Sequence, residues 1–167
     1  FVPADRAGRD AGQGVEFPEG AEGFALKLVG GQPARHVGDV VAVEKIPVPG
    51  ADAAFAFETN SEPGQFVPVH IHPTQDEFIL VQEGELDLKL DGVWTKARAG
   101  DLVRMPRGIP HGYFNKSDKP CRALFWVSPM GQLRDLFEAL HDQTDIPRIV
   151  ELSAQHEVEF LPEEANA

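Results

Sequence analysis

Residues 64–84 read GQFVPVHIHPTQDEFILVQEG, and the fold follows from how this stretch divides. Around His70 and His72 stand Phe66, Val67, Val69 and Ile71, the aromatic and β-branched company of a strand. Alternate side chains of a strand share a face, so the two imidazoles point the same way. Pro73 ends this strand and Thr74, Gln75 and Asp76 make a turn. Glu77 then opens a second strand that runs through Phe78, Ile79, Leu80 and Val81, and its carboxylate comes back towards the two rings. Two imidazoles and one carboxylate from neighbouring strands outline a site for a first-row transition metal. A third histidine is expected to complete it.

Residues 100–115, GDLVRMPRGIPHGYFN, read as strand, Pro/Gly turn and strand, with His111 opening the returning strand. Together the two stretches resemble the cupin superfamily. Its first motif, G-x5-HxH-x3,4-E-x6-G, is filled by Gly64, His70, His72, Glu77 and Gly84. Its second, G-x5-P-x-G-x2-H-x3-N, is filled by Gly100, Pro106, Gly108, His111 and Asn115. At roughly 5% per position, a chance match at all of these sites is negligible. The resemblance covers residues 64–115 and implies an all-β fold, a small jelly-roll β-barrel, with a metal held by His70, His72, Glu77 and His111.

Length and composition agree with one such domain. The chain has 167 residues, 42% of them hydrophobic and 25% charged, enough for a full core. Its 27 acidic against 15 basic residues set a formal net charge of −12. That field repels polyanions, so nucleic acid is not expected as a partner. No apolar run is long enough to span a membrane. The single cysteine, Cys121, leaves no internal disulfide framework and fits a reducing compartment, with the cytoplasm as the expected location.

Taken in order, residues 1–23 read as an irregular arm, residues 24–129 as the barrel and residues 130–167 as a helical segment with an acidic tail. Strands are expected at 24–29, 36–46 and 54–58, with turn chemistry over 60–64. Leu86, Leu88 and Leu90 alternate with charged residues up to Asp91-Gly92, a hairpin signal. Residues 121–127 close the barrel, with Cys121 a small buried hydrophobe. Leu133, Leu136, Phe137 and Leu140 then recur at helical spacing. A second short helix is expected over 147–156, with Asp145 at its N-cap, and the chain is expected to fray after Phe160 and Leu161.

Three imidazoles and one carboxylate form a mixed N/O shell suited to one divalent Fe, Mn, Ni, Co, Cu or Zn ion rather than Ca or Mg. His36 opens a strand, His141 lies at a helix end and His156 in a polar tail, and none of the three is expected to act. Strand parity places Phe66 and Pro68 on the face of His70 and His72, and Tyr113 on that of His111. Phe55, Phe57, Met105 and Phe125 are further candidates for the lining, with plain core packing as the alternative for each. Val67, Val69 and Ile71 then face outward, where a homodimer partner would suit them. A lining with few polar groups favours an apolar or aromatic small molecule.

The cupin followed by an amphipathic helix looks like the bacterial quercetin dioxygenase-like group. That resemblance implies a dioxygenase acting on a flavonol-like, enolisable substrate, with Glu77 both metal ligand and proton acceptor. A non-oxidative isomerase, lyase or polyketide-type cyclase is the alternative, and a small-molecule-binding cupin without catalysis is a third.

Overall fold

Alternation of large apolar with polar or small residues builds two facing sheets. The computed structural model describes residues 27–28, 39–42 and 54–166. Its first strands are β1 (Lys27–Leu28), β2 (Asp39–Ala42), β3 (Phe55–Ser61), β4 (Phe66–Ile71) and β5 (Asp76–Glu83). There follow β6 (Glu85–Leu90), β7 (Val93–Arg98), β8 (Leu102–Met105), β9 (His111–Phe114) and β10 (Cys121–Ser128). Helices α1 (Leu133–Ala139) and α2 (Ile146–Gln155) come next, and β11 (Glu159–Phe160) is the last strand. One sheet has the order β1-β2-β3-β10-β5-β8 and the other β11-β4-β9-β6-β7, a jelly roll. The expected arm over 1–23 and His36 lie outside the described residues.

The core lies between the sheets. Phe55 and Phe57 from β3, Ile79 and Val81 from β5, Leu86 and Leu88 from β6, and Ala123, Phe125 and Val127 from β10 are all buried. Each set is spaced by two, as one inward strand face requires. Cys121 is buried with them, and burial is the main cause that pushes its thiol up to about 11. β3 runs further than its sequence suggests: Asn60 and Ser61, read as turn residues, pair with Arg122 and Cys121 of β10. Cross-strand pairing here outweighs local turn preference.

The C-terminal segment departs most from expectation. Both helices form, and Asp145 sits at the N-cap of α2 without a side-chain capping bond. The tail does not fray after Leu161. β11 adds to the edge of the second sheet through Phe160 opposite His70, and the Leu161 amide donates to the Val69 carbonyl at 2.9 Å. The Val69 amide donates to Asn166 Oδ1 at 2.8 Å. An unpaired sheet edge satisfies its backbone with this strand, which acidic composition alone did not foretell. None of the helices among the described residues is long and apolar enough to cross a membrane.

Two glycines at similar backbone angles separate conformational strain from close approach. Gly84 (φ 78°) lies against β10, where an added Cβ would stand 2.7 Å from the Pro120 carbonyl oxygen. Gly92 (φ 79°), in the β6–β7 hairpin turn, would meet nothing within 4 Å. Gly92→Ala is expected to cost about 1–2 kcal/mol from backbone strain alone. Gly84→Ala is expected to cost clearly more, because backbone must move as well. Chemical denaturation of the two variants checks this, and equal midpoints would contradict the close contact.

Candidate metal centre

Four side chains from three strands and a turn converge on one point. His70 is the last residue but one of β4, His72 follows one residue beyond the strand, Glu77 lies near the start of β5 and His111 opens β9. The two motif turns that carry them are tied together. Asp76 Oδ1 accepts from the Arg107 amide at 3.0 Å and from its Nε at 3.1 Å, while Oδ2 accepts from Arg104 at 2.8 Å. These contacts, with Arg107 foremost, hold the Asp76 carboxyl well below the usual carboxylate range. The Gly108 amide donates to the His72 carbonyl at 2.8 Å, a second tie.

Each ring is fixed from behind. His70 Nδ1 lies 2.8 Å from the Pro68 carbonyl oxygen, and His111 Nδ1 lies 2.8 Å from that of Ile109. His72 Nδ1 lies 3.0 Å from Gln75 Oε1. All three partners are carbonyl oxygens, which only accept, so each Nδ1 carries the hydrogen. The Nε2 lone pairs are left facing inward. They meet Glu77 Oε2 at 3.8 Å from His70, 3.3 Å from His72 and 3.0 Å from His111. One ligand atom from each of the four residues lies within 4.8 Å of the others, and all four residues are buried.

Three nitrogen lone pairs and a carboxylate turned on one buried point are mutually repulsive without a cation among them. The donor set therefore fits a divalent transition metal, held by His70, His72, Glu77 and His111. Burial by itself would raise the Glu77 carboxyl, but positive charge at this point, a proton on a facing Nε2 with His111 foremost or a metal ion in its place, outweighs burial and holds it well below the usual range.

Sequence relationships agree with this geometry. The Cupin domain family matches residues 57–127. Protein SchB of Streptomyces halstedii is 30% identical over 111 residues, 66% of this chain and 80% of SchB. The chain belongs to the cupin family. The polyketide synthase protein CurC of Streptomyces cyaneus is 32% identical over 100 residues, 60% of this chain and 63% of CurC. Quercetin 2,3-dioxygenase of Bacillus subtilis is 29% identical over 113 residues, 60% of this chain but 33% of that enzyme.

In this cupin His70, His72 and Glu77 of the cluster stand at one side of a cavity of about 70 Å³. Phe57, Val67 and Tyr113 line it from the barrel, with Leu133, Leu136, Phe137, Leu140, Ser153, Val158 and Phe160 from the C-terminal segment. Phe57 and Tyr113 were expected there. Phe66 is not among the lining residues: its ring stacks on Phe114 at 5.5 Å, and Val67 takes the inward place. The cause is a bulge. Val67 pairs with Tyr113 and His70 with His111, so three steps along β4 match two along β9. One extra residue reverses the alternation, which also removes Val67 from the expected outward set.

Phe55, Met105 and Phe125 form the floor of the core instead of the lining. Phe55 packs edge-on against Phe137, Phe125 stacks on Phe57 at 5.4 Å, and Met105 is buried opposite Glu77. His141 pairs with Asp142 at 3.1 Å, and His156 Nδ1 lies 2.8 Å from the Leu152 carbonyl, so neither reaches the centre. Sequence reasoning missed Gln75, read as a turn residue, and Ser153. It saw the helical spacing of Leu133, Leu136, Phe137 and Leu140 but not that this stripe covers the site.

Burial is the chief cause that lowers the His70 imidazole to about 4; the Glu77 contact opposes it, and His111 and His72 reinforce it. An unfolded chain takes up this proton near 6.5, so between 6.5 and 4 the unfolded state binds more protons. Stability of the metal-free protein should therefore fall as pH falls through that window, by on the order of 3 kcal/mol from this group. Glu77, held low, adds a loss of the same sign at more acid pH. Urea titrations of chelated protein at pH 7 and pH 4.5 measure the sum, and His70→Gln should remove the imidazole's share. A dependence identical in that variant would show that His70 is not a buried neutral ring.

Proposed function

We propose that this cupin is a metal-dependent enzyme that oxygenates an enolisable aromatic, flavonol-like substrate. One observation carries the reading: a buried cluster of three imidazoles and Glu77 borders, through His70, His72 and Glu77, a cavity whose other described walls are apolar apart from Tyr113 and Ser153. Apolar walls hold an aromatic skeleton, and few polar groups remain for a sugar or phosphate. The relationship to quercetin 2,3-dioxygenase supports the same substrate class.

A divalent metal held by His70, His72, Glu77 and His111 would supply Lewis acidity at a substrate oxygen and, for a redox-active ion, electrons for reaction with O₂. This chain's own groups do the rest. The imidazole contacts all fall on Glu77 Oε2, so Oε1 is the oxygen placed to accept the proton of a substrate hydroxyl. Burial, with the Glu77 charge adding to it, raises the Tyr113 phenol, which stays protonated and serves as a donor. The Ser153 hydroxyl is buried and has no hydrogen-bond partner among the described residues. It offers a substrate one polar contact on the helical wall. C-terminal apolar residues keep water from the reacting centre.

A second reading is non-oxidative proton transfer or cyclisation of a polyketide-type substrate, favoured by the similarity to the polyketide synthase protein CurC. Oxygen separates the two. Protein loaded in turn with Fe, Mn, Ni, Co, Cu or Zn is given quercetin, or a phenolic poly-β-ketone, under air and under nitrogen. Oxygenation requires O₂ uptake that tracks substrate loss. Turnover that proceeds equally under nitrogen would transfer the assignment to the second reading, and no turnover with any pairing would remove both.

Variants separate the roles. Glu77→Gln should keep metal on three imidazoles yet lose about 100-fold or more in turnover. Tyr113→Phe should cost about 1–3 kcal/mol in substrate or transition-state binding while leaving the metal in place. Ser153→Ala removes an unpartnered buried hydroxyl, so it should raise the melting temperature and weaken substrate binding together. A lower melting temperature would mean that the hydroxyl serves the fold.

A further inference from the structure

Gln75 lies in the turn of the first motif and is 1% exposed. A buried primary amide must place two N–H donors and a carbonyl acceptor. Its Nε2 is 3.1 Å from the Pro129 carbonyl oxygen and in closer contact with that of Met130. Carbonyl oxygens only accept, which fixes this end of the amide as the NH₂ group. Oε1 is thereby turned to His72 Nδ1, 3.0 Å away. Because Oε1 also only accepts, Nδ1 bears the hydrogen and the Nε2 lone pair is aimed at the centre, 3.3 Å from Glu77 Oε2.

Pro129 and Met130 are the root of the C-terminal segment. Gly131, next in the chain, packs its backbone so close that an added Cβ would stand 2.8 Å from Gln75 Nε2. Beyond it α1 carries Leu133, Leu136 and Phe137 onto the cavity. A single side chain thus touches both a ring of the metal centre and the base of the segment that closes over it. The cavity of about 70 Å³ is far smaller than the ~300–1,000 Å³ of sites that hold drug-sized ligands. A shift of the segment would widen the cavity for a substrate of two or three rings.

We propose that Gln75 is a positioning residue that couples the seating of the C-terminal segment to the orientation of the His72 ring. With the segment seated, two carbonyls hold the amide and its oxygen holds His72 in the tautomer and direction that metal binding needs. With the segment lifted, the amide loses both acceptors and His72 loses its fixed partner. Reciprocity then applies: a cation that draws His72 into place favours the seated segment by the same factor. The inference rests on the metal-site reading but not on which reaction the centre performs.

Zinc alone is a sufficient probe. Calorimetry gives its affinity for wild type, Gln75→Leu and Gln75→Glu, and hydrogen exchange of residues 133–139 is followed with and without zinc. In wild type, zinc should slow exchange in α1 several-fold. Gln75→Leu should bind zinc about 10–100-fold more weakly, and saturating zinc should no longer slow α1. Gln75→Glu keeps an acceptor for His72, so zinc affinity should stay within about threefold of wild type. Its carboxylate repels the Pro129 and Met130 carbonyls, so α1 should exchange fast with or without zinc. Wild-type affinity in Gln75→Leu, or α1 exchange indifferent to zinc in wild type, would overturn the coupling. If wild type binds no zinc, the metal-site reading falls and takes the coupling with it. Should circular dichroism show Gln75→Leu unfolded, the wild-type comparison decides: slowed exchange upholds the proposal and unchanged exchange rejects it.

Discussion

The contact between a buried carboxylate and three inward imidazoles governs the surrounding structure. Glu77 is 3% exposed, and its Oε2 lies within 3.8 Å of Nε2 on His70, His72 and His111. Four donors of electron pairs held this close need rigid support, since each would otherwise turn away or take up a proton. That support is local. Carbonyl oxygens of Pro68 and Ile109 and the Gln75 amide fix the rings. Asp76, through Arg104 and Arg107, fixes the two turns against each other.

The same constraint explains the C-terminal segment. A cluster of this kind in a barrel opens to water unless something covers it, and here the chain supplies its own cover. α1 and the residues around β11 place Leu133, Leu136, Phe137, Val158 and Phe160 over the centre. Phe160 sits 5.7 Å from the His70 ring. Ser153 puts into this wall a hydroxyl with no partner among the described residues, and a buried polar group without a partner is a standing cost. Apolar enclosure with few polar groups is the feature on which the proposed preference for an aromatic skeleton over a sugar or phosphate rests.

Much of this was legible in the residues themselves, because short-range geometry decides it. Strand alternation puts His70 and His72 on one face, motif spacing returns Glu77 and His111 to them, and leucine alternation marks β6 with its Asp91-Gly92 turn. Those relations survive any choice of neighbours, since backbone geometry alone sets them. The first helix was legible for the same reason, from the spacing of Leu133, Leu136, Phe137 and Leu140, and the second from Asp145 and Pro147 at its start.

What the residues alone could not decide was where pieces distant in sequence meet. A single bulge between Val67 and His70 reverses the face of everything before it, exchanging Phe66 for Val67 in the cavity. No local signal announces it, because a bulge is settled by the fit of β4 against β9. There an added Cβ at Gly112 would stand 3.0 Å from Val67 backbone oxygen. Gln75 carries no motif signature; its meaning comes from Pro129 and Met130, more than fifty residues on. The acidic tail looked unfit for order by composition, yet β4 had an edge to satisfy and β11 satisfies it. The sequence by itself determined the cupin strands and the four residues of the centre. Only tertiary packing decided how that centre is enclosed, because enclosure depends on contacts that local periodicity does not encode.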